Sequence, residues 1–247
     1  MRVIHDSVKQ GKNVSIGYFT VIEEDVVIGD NVTIGNHVTI CAGTVIGSNV
    51  TIFDQSVIGR WPKPAKASTV KVDHDLSPLV IGDGTTIGAN TVLYRGSHIG
   101  KEVMIGDLAS IREKCNIADH VVIGRGVALE NEVSIGAYTK IQTNAYITAY
   151  TTVEDHVFIA PTVTTTNDNF MGRTKERFKY VKGPHIKKGA RVGGASILLP
   201  GVTVAEETFV GAGALIRRDT EAAKVYVGVP GRTIRDVPDR EKLENQE

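Results

Sequence analysis

The chain is poor in several things at once. It has two cysteines, Cys41 and Cys115, in 247 residues, so no disulfide framework holds it together. Aromatic residues make up 6%, too few for an ordinary globular core. No apolar run approaches the roughly 18 residues of a membrane span. The opening MRVIHDSVKQGK lacks the apolar stretch of a signal peptide. Charge of one sign is not in excess either: 28 Lys and Arg face 28 Asp and Glu, where a general nucleic-acid binder carries a basic surplus. These absences predict a soluble, cytoplasmic protein with neither nucleic acid nor membrane as a partner.

What is abundant is glycine, at 26 residues, and a period of six. Written in sixes from Ile16, the chain reads IGYFTV, IEEDVV, IGDNVT, IGNHVT, ICAGTV, IGSNVT, IFDQSV and IGR. The pattern resumes at Ile81 and leads fourteen hexads through Ile159; a third block runs through Ile186, Val192, Leu198, Val204, Val210 and Ile216. All 28 leading positions are Ile, Leu or Val, and the fifth position of the middle block is nearly always Thr, Ser, Val, Ala or Cys. One large and one small inward residue per six suit a short strand followed by a tight corner. Gly, Asp and Asn after the leader are expected to supply the corner's backbone angles. Three sides close an 18-residue coil, and coils stack at about 4.8 Å, giving about nine coils and a prism about 45 Å long. A single coil cannot bury its aliphatic row, so stacking supplies the stability.

The pattern [ILV]-[G/A/D/E]-x-x-[STAV]-x resembles the bacterial hexapeptide-repeat acyltransferases. That resemblance covers residues 4 to 235 and implies an all-β fold, a left-handed parallel β-helix. The expected organisation is a β-helix domain over 1–235, loops inserted at 60–79 and 166–185, and a frayed or helical tail over 236–247. Family members pair three prisms with active sites between subunits, so the resemblance also implies a homotrimer.

A regular solenoid needs no interruptions, so function is sought where the repeat breaks. The first loop carries Pro62, Pro64 and Pro78, which stop strand pairing, together with Trp61, His74 and Asp75. The second opens with Thr166-Asn167-Asp168 and contains Phe170, Phe178 and Tyr180. Counting in eighteens assigns the sides of the middle block. After the leader, two sides carry mostly glycine. The third carries Tyr94, Arg112, Glu130, Thr148 and Thr166, followed by Arg95, Glu113, Asn131 and Asn167-Asp168. One corner is therefore polar, and a solvated ladder of charges is the plain alternative to an active site there. Charge is also uneven along the chain. Residues 1–170 hold 13 basic and 18 acidic residues, whereas 171–235 hold 13 and 5. The basic C-terminal coils, Arg217, Arg218 and Arg232 among them, suit a phosphorylated ligand.

The stretches VEDHVFIAPTVTTTNDNF, GARVGGASILLPGV, FVGAGALIRRD and VYVGVPGR resemble one branch of that family, the transferases that acylate amino groups of nucleotide-linked sugars. The resemblance implies an acceptor site at Asn167 and Asp168. It implies that acetyl-coenzyme A, or another acyl-coenzyme A, is held by Gly194, Ala195, Gly213, Arg217 and Arg218. Gln142-x-Asn144 resembles the relatives' polar corner. Asp168 is followed by Asn-Phe-Met-Gly-Arg rather than a short proline-arginine continuation, which leaves the sugar open. Chemically, a thioester is already activated, so such an enzyme orients the amine, removes a proton and stabilises an oxyanion. Glu130 or Glu113 is the expected base, with Asn131, Asn144, Asn167 and Asp168 orienting the amine. His98 is the first choice among the histidines, and His74 on the first loop is the other. Tyr94, Arg95 and Tyr180 are expected to bind substrate, and Trp61, Phe178 and Tyr180 to stack on a base. No metal is expected: zinc-dependent carbonic anhydrases of this fold use a His-x4-His spacing, and no two histidines here are five apart. A sugar-1-phosphate nucleotidyltransferase is not expected, because the repeats begin almost at once. The remaining alternatives are a different small acceptor (an amino acid, an antibiotic or a sugar hydroxyl) and a non-enzymatic scaffold.

Overall fold

In the computed structural model, residues 1–68 and 73–246 are described; positions 69–72 of the first loop and 247 of the tail lie outside them. The six-residue period becomes a three-sided prism of two-residue strands. We call the faces A, B and C: they hold 11, 10 and 12 hydrogen-bonded strands. Away from the insertions and the C-terminal end, each strand pairs in parallel with the one 18 residues on, as in Ser110↔Ala128 and Ile111↔Leu129. The leaders point inward, and Ile87, Leu93, Ile99, Ile111 and Ile123 are fully buried. Fifth-position residues close the core. Where they are polar, their hydroxyls donate to corner carbonyls, as Ser97 does to Arg112 (2.8 Å) and Thr139 to Glu154 (2.8 Å), so no buried hydroxyl is left unpaired there.

Two expectations need correcting. The prism has eleven parallel coils rather than nine. The strands led by Ile4, Gln10 and Thr165 fell outside the aliphatic count. Gln10 is in the first, uncovered coil, and Thr165 is buried with its hydroxyl bonded to the Thr148 N–H at 2.7 Å. The reason for the corner glycines also differs. Positive φ falls three residues after the leader, on Asn90, Glu102, Leu108, Lys114, His120 and their counterparts. The glycine directly after the leader instead allows close stacking. A Cβ on Gly124 would lie 2.7 Å from the backbone nitrogen of Thr143 in the next coil.

Both insertions leave the prism at the same place. Val57–Arg60 on face A is followed by Val80–Ile81 on face B, and Thr164–Thr165 on face A by His185–Ile186 on face B. Across the loops, Val57 still pairs with Val92 and Thr164 with Ile197. Each loop is thus a pure insertion at the A–B corner, and the phase of the three blocks is continuous. The second loop contains one 3-10 turn, Glu176–Lys179.

The C-terminal end is covered. Lys224–Val227 extends face C and pairs antiparallel with Arg232–Asp236, which occupies an edge otherwise open to another strand. Residues 237–246 pack back on the prism. Val237 is buried, and two 3-10 turns, Asp239–Glu241 and Leu243–Asn245, lie against earlier coils. Glu241 pairs with Arg191 (3.2 Å), and the Leu243 N–H donates to Glu207 (3.0 Å). Among the described residues no helix is long and apolar enough to cross a membrane.

Candidate functional site

The A–B corner carries the polar column, and the two loops bound it. Gly59, at φ +81°, makes a bulge that sets Arg60 opposite Tyr94. From there Tyr94, Arg112, Glu130, Thr148 and Thr166 follow on successive coils, so the stretch between the loops is about 24 Å long. The corner residue after each face-A leader points away from the core, which frees this column for chemistry without disturbing the stack.

At its centre is a charged cluster. Arg112 binds Glu113 through both forks, Nε to Oε2 at 2.8 Å and Nη2 to Oε1 at 2.9 Å, and its Nη1 lies 3.5 Å from Glu130 Oε2. The Tyr94 ring sits between the guanidiniums of Arg60 (5.5 Å) and Arg112 (5.2 Å). Burial works against the charge of Arg112, but the hydrogen bonds and charges of Glu113 and Glu130 more than offset it, and its pKa is raised. The two carboxylates are not equivalent. Glu113 is 6% exposed and saturated by Arg112, whereas the Glu130 side chain is 29% exposed and meets Arg112 only at the longer distance. One cation against two anions leaves the cluster negative, with Glu130 facing out.

Sequence reasoning missed Tyr146. It lies on the outer surface of face A, opposite Ala128 in register, close enough to Glu130 to feel its charge. Burial, then the neighbouring Glu130 charge, pushes its pKa up. The corner count passed over it because it is a strand residue. Its one signal was a bulky aromatic where the same face carries Ser110, Ala128 and Thr164.

The other expected residues are spread over several places. Asn131 adjoins Glu130, and its carbonyl accepts from Tyr150 N–H at 3.2 Å. Arg95 lies at the mouth of the first loop, 8% exposed. Asn167 and Asp168 open the second loop. Asp168 accepts from the Phe170 N–H (2.8 Å) and the Gly172 N–H (2.9 Å) and pairs with Arg177 (2.7 Å). Those bonds, led by the one from Gly172, lower its pKa. Asp168 therefore organises its own loop. Tyr180 stacks on Phe170 at 5.8 Å and keeps more than half its surface open.

Asn144 is not beside Glu130. It belongs to the C–A corner, at the far edge of face A, with Gly194, Ala195 and Gly213 on later coils of that corner; the Gly213 N–H donates to Gly194 at 2.8 Å. His98 sits on the outside of face B, opposite Asn116, and exposed. Arg217, Arg218 and Arg232 converge on a cleft of about 260 Å³, with Tyr226 and Gly231, beyond the second loop. The thiols are not poised as nucleophiles. Burial pushes Cys115 up to about 12 and Cys41 up to about 11, the second aided by Glu23.

Two stretches match family models: residues 11–42 match the bacterial transferase hexapeptide (six repeats) and 78–106 the hexapeptide repeat of succinyl-transferase. The galactoside O-acetyltransferase of Escherichia coli is 37% identical over 51 residues, 21% of this chain and 25% of that protein; the match thus spans a quarter of the relative's length. Among solved structures, the UDP-N-acetylglucosamine acyltransferase of Bacteroides fragilis superimposes with a TM-score of 0.58 at 20% identity, over 94% of this chain and 72% of the other. That of Francisella novicida aligns at 20% identity over 98% and 71%, with a TM-score of 0.44. At 20% identity the Bacteroides fragilis likeness establishes the fold alone, a left-handed parallel β-helix.

Proposed function

We propose that this chain, a hexapeptide-repeat protein of the bacterial transferase type, is an acyl-coenzyme-A-dependent N-acyltransferase acting on the amino group of a nucleotide-linked amino sugar. The observation that carries this reading is the net-negative cluster of Arg112, Glu113 and Glu130, open at Glu130 and midway between two inserted loops. A site with surplus negative charge favours an ammonium over a hydroxyl and gives its proton a destination. The family matches and the curated acetyltransferase relative support acyl transfer as the reaction class.

An acyl thioester supplies an activated carbonyl when bound, and the three-arginine cleft suits its anionic phosphates. The chain's own residues do the rest. Glu130 receives the ammonium and takes a proton from it; the neutral amine then forms the C–N bond as the C–S bond breaks, and the second proton lost from nitrogen leaves with coenzyme A as its thiol. Arg112 occupies both carboxylate oxygens of Glu113, so Glu113 is the structural member of the pair. Asn131 flanks the amine, and Asn167 and Tyr180 reach the acceptor from the second loop.

As a cytoplasmic homotrimer the molecule would bring the C–A edge of one subunit against the A–B edge of the next. Asn144, Gly194, Ala195 and Gly213 would then complete the site from across the interface. Calorimetric titration with acetyl-coenzyme A and its 3′-dephospho analogue tests the donor, followed by a screen of amino-sugar nucleotides. Saturable binding that weakens without the 3′-phosphate is expected. No binding at millimolar concentration would end the proposal.

A further inference from the structure

The mouth of the first loop is built unlike the rest of the edge. Trp61, the single tryptophan of the chain, has its indole 4.1 Å from the guanidinium of Arg95. Arg95 is buried and fixed: Nε donates to the Leu76 carbonyl and Nη1 to the Ala42 carbonyl, both at 3.1 Å. Its positive charge is thus met by backbone dipoles, and its flat face backs the indole. Trp61 remains 43% exposed, so the rest of its surface is open to solvent. Arg60, one residue earlier and exposed, lies against Tyr94. Glu23 sets one anion beside the two arginines, its Oε2 accepting from the Ala42 N–H at 2.9 Å, so Arg60, Arg95 and Glu23 together carry one surplus positive charge.

The edge is therefore polarised. Arg60 and Arg95 stand at one end, and Glu130 stands three coils further on, about 14 Å away. An acceptor with a planar base, a diphosphate and an amine has that same order of groups. We propose that the mouth of the first loop is a nucleoside diphosphate site. The open indole surface of Trp61 takes the base, Arg60 takes the phosphates, and the amine-bearing end runs along the corner toward Glu130. Arg95 is a positioning residue that holds the indole from behind. This deepens the acyltransferase reading and rests on it for the amine, but the nucleotide site is testable alone.

Because Trp61 is the only tryptophan, indole fluorescence excited on the red edge of its absorption reports on this loop directly. The full chain is titrated with UDP and dTDP, with uridine, with inorganic pyrophosphate and with coenzyme A, whose own adenosine diphosphate is the competing source of the same chemistry. Saturable quenching by UDP or dTDP is expected, at least about tenfold weaker in affinity for uridine or pyrophosphate alone. Arg60→Gln should weaken it about tenfold or more, while Arg217→Gln/Arg218→Gln leaves it unchanged. Trp61→Phe, followed by calorimetry, should show the same loss of affinity without relying on the fluorophore. The proposal is overturned if neither nucleotide gives a saturable change at millimolar concentration. It is equally overturned if pyrophosphate matches UDP, or if quenching is lost in the Arg217/Arg218 variant but kept in Arg60→Gln. Nucleotide binding without acyl transfer to any amine would remove the transferase reading and leave this site standing. Acyl transfer to a free amino sugar without nucleotide binding would do the reverse.

Discussion

Arg112→Met is the most informative perturbation of the corner, because it separates the two carboxylates. The substitution keeps much of the aliphatic stem but leaves Glu113, 6% exposed, without the partner that binds both its oxygens at 2.8 and 2.9 Å. Removing one member of a buried pair costs about 3–5 kcal/mol. Arg112 is one-quarter exposed, so water reaches the gap and the expected loss is about 2–3 kcal/mol. For a chain of this size that lowers the melting temperature by about 5–10 °C. The pH dependence carries the argument. An unpaired buried carboxylate has a folded pKa above its unfolded value of about 4.3. The folded variant then binds a proton more readily than the unfolded chain. Its deficit is full above the raised folded pKa and shrinks as pH falls toward the unfolded one. Urea unfolding of both proteins at pH 8 and pH 5 should show the gap narrowing at the lower pH. Arg112→Met/Glu113→Gln, which removes both charges, should recover most of the loss. A deficit equal at both pH values and undiminished in the double variant would refute this account of the pair.

Glu130→Gln should lower kcat by about 10²–10⁴-fold, the usual contribution of a general base, with coenzyme A affinity by calorimetry unchanged; an unaltered kcat removes Glu130 from the chemistry. Neither thiol should react with a disulfide reagent at pH 8 in the folded protein, since Cys115 and Cys41 titrate near 12 and 11; denaturation should release two thiols. Gly124→Ala places a Cβ 2.7 Å from the next coil's backbone and should cost about 1–3 kcal/mol, read by the same urea titration.

The period of six determined the fold. Ile, Leu or Val at every sixth position can be buried together only if the chain turns the same corner every six residues. Counting eighteens within the middle block therefore assigned Ile81, Ile87 and Leu93 to three faces, and it put Tyr94, Arg112 and Glu130 in one column. Both loops were legible as gaps in the same count. Their convergence on a single corner was not, because an insertion of arbitrary length breaks the count across it. Only the pairing of Val57 with Val92 and of Thr164 with Ile197 restores the phase. Asn144 and Tyr146 lie inside the middle block, where the count was intact: it already set Asn144, after Ile141, on another side from Glu130, and Tyr146 was passed over because only corner positions were weighed. The division of labour between Glu113 and Glu130 was out of reach of the count, since it depends on where the Arg112 fork closes. Periodicity reports what the core must bury, and that is enough for a solenoid. Chemistry depends on contacts between coils and across loops, set by side-chain direction and by insertions that carry no period, and those only the tertiary structure decided.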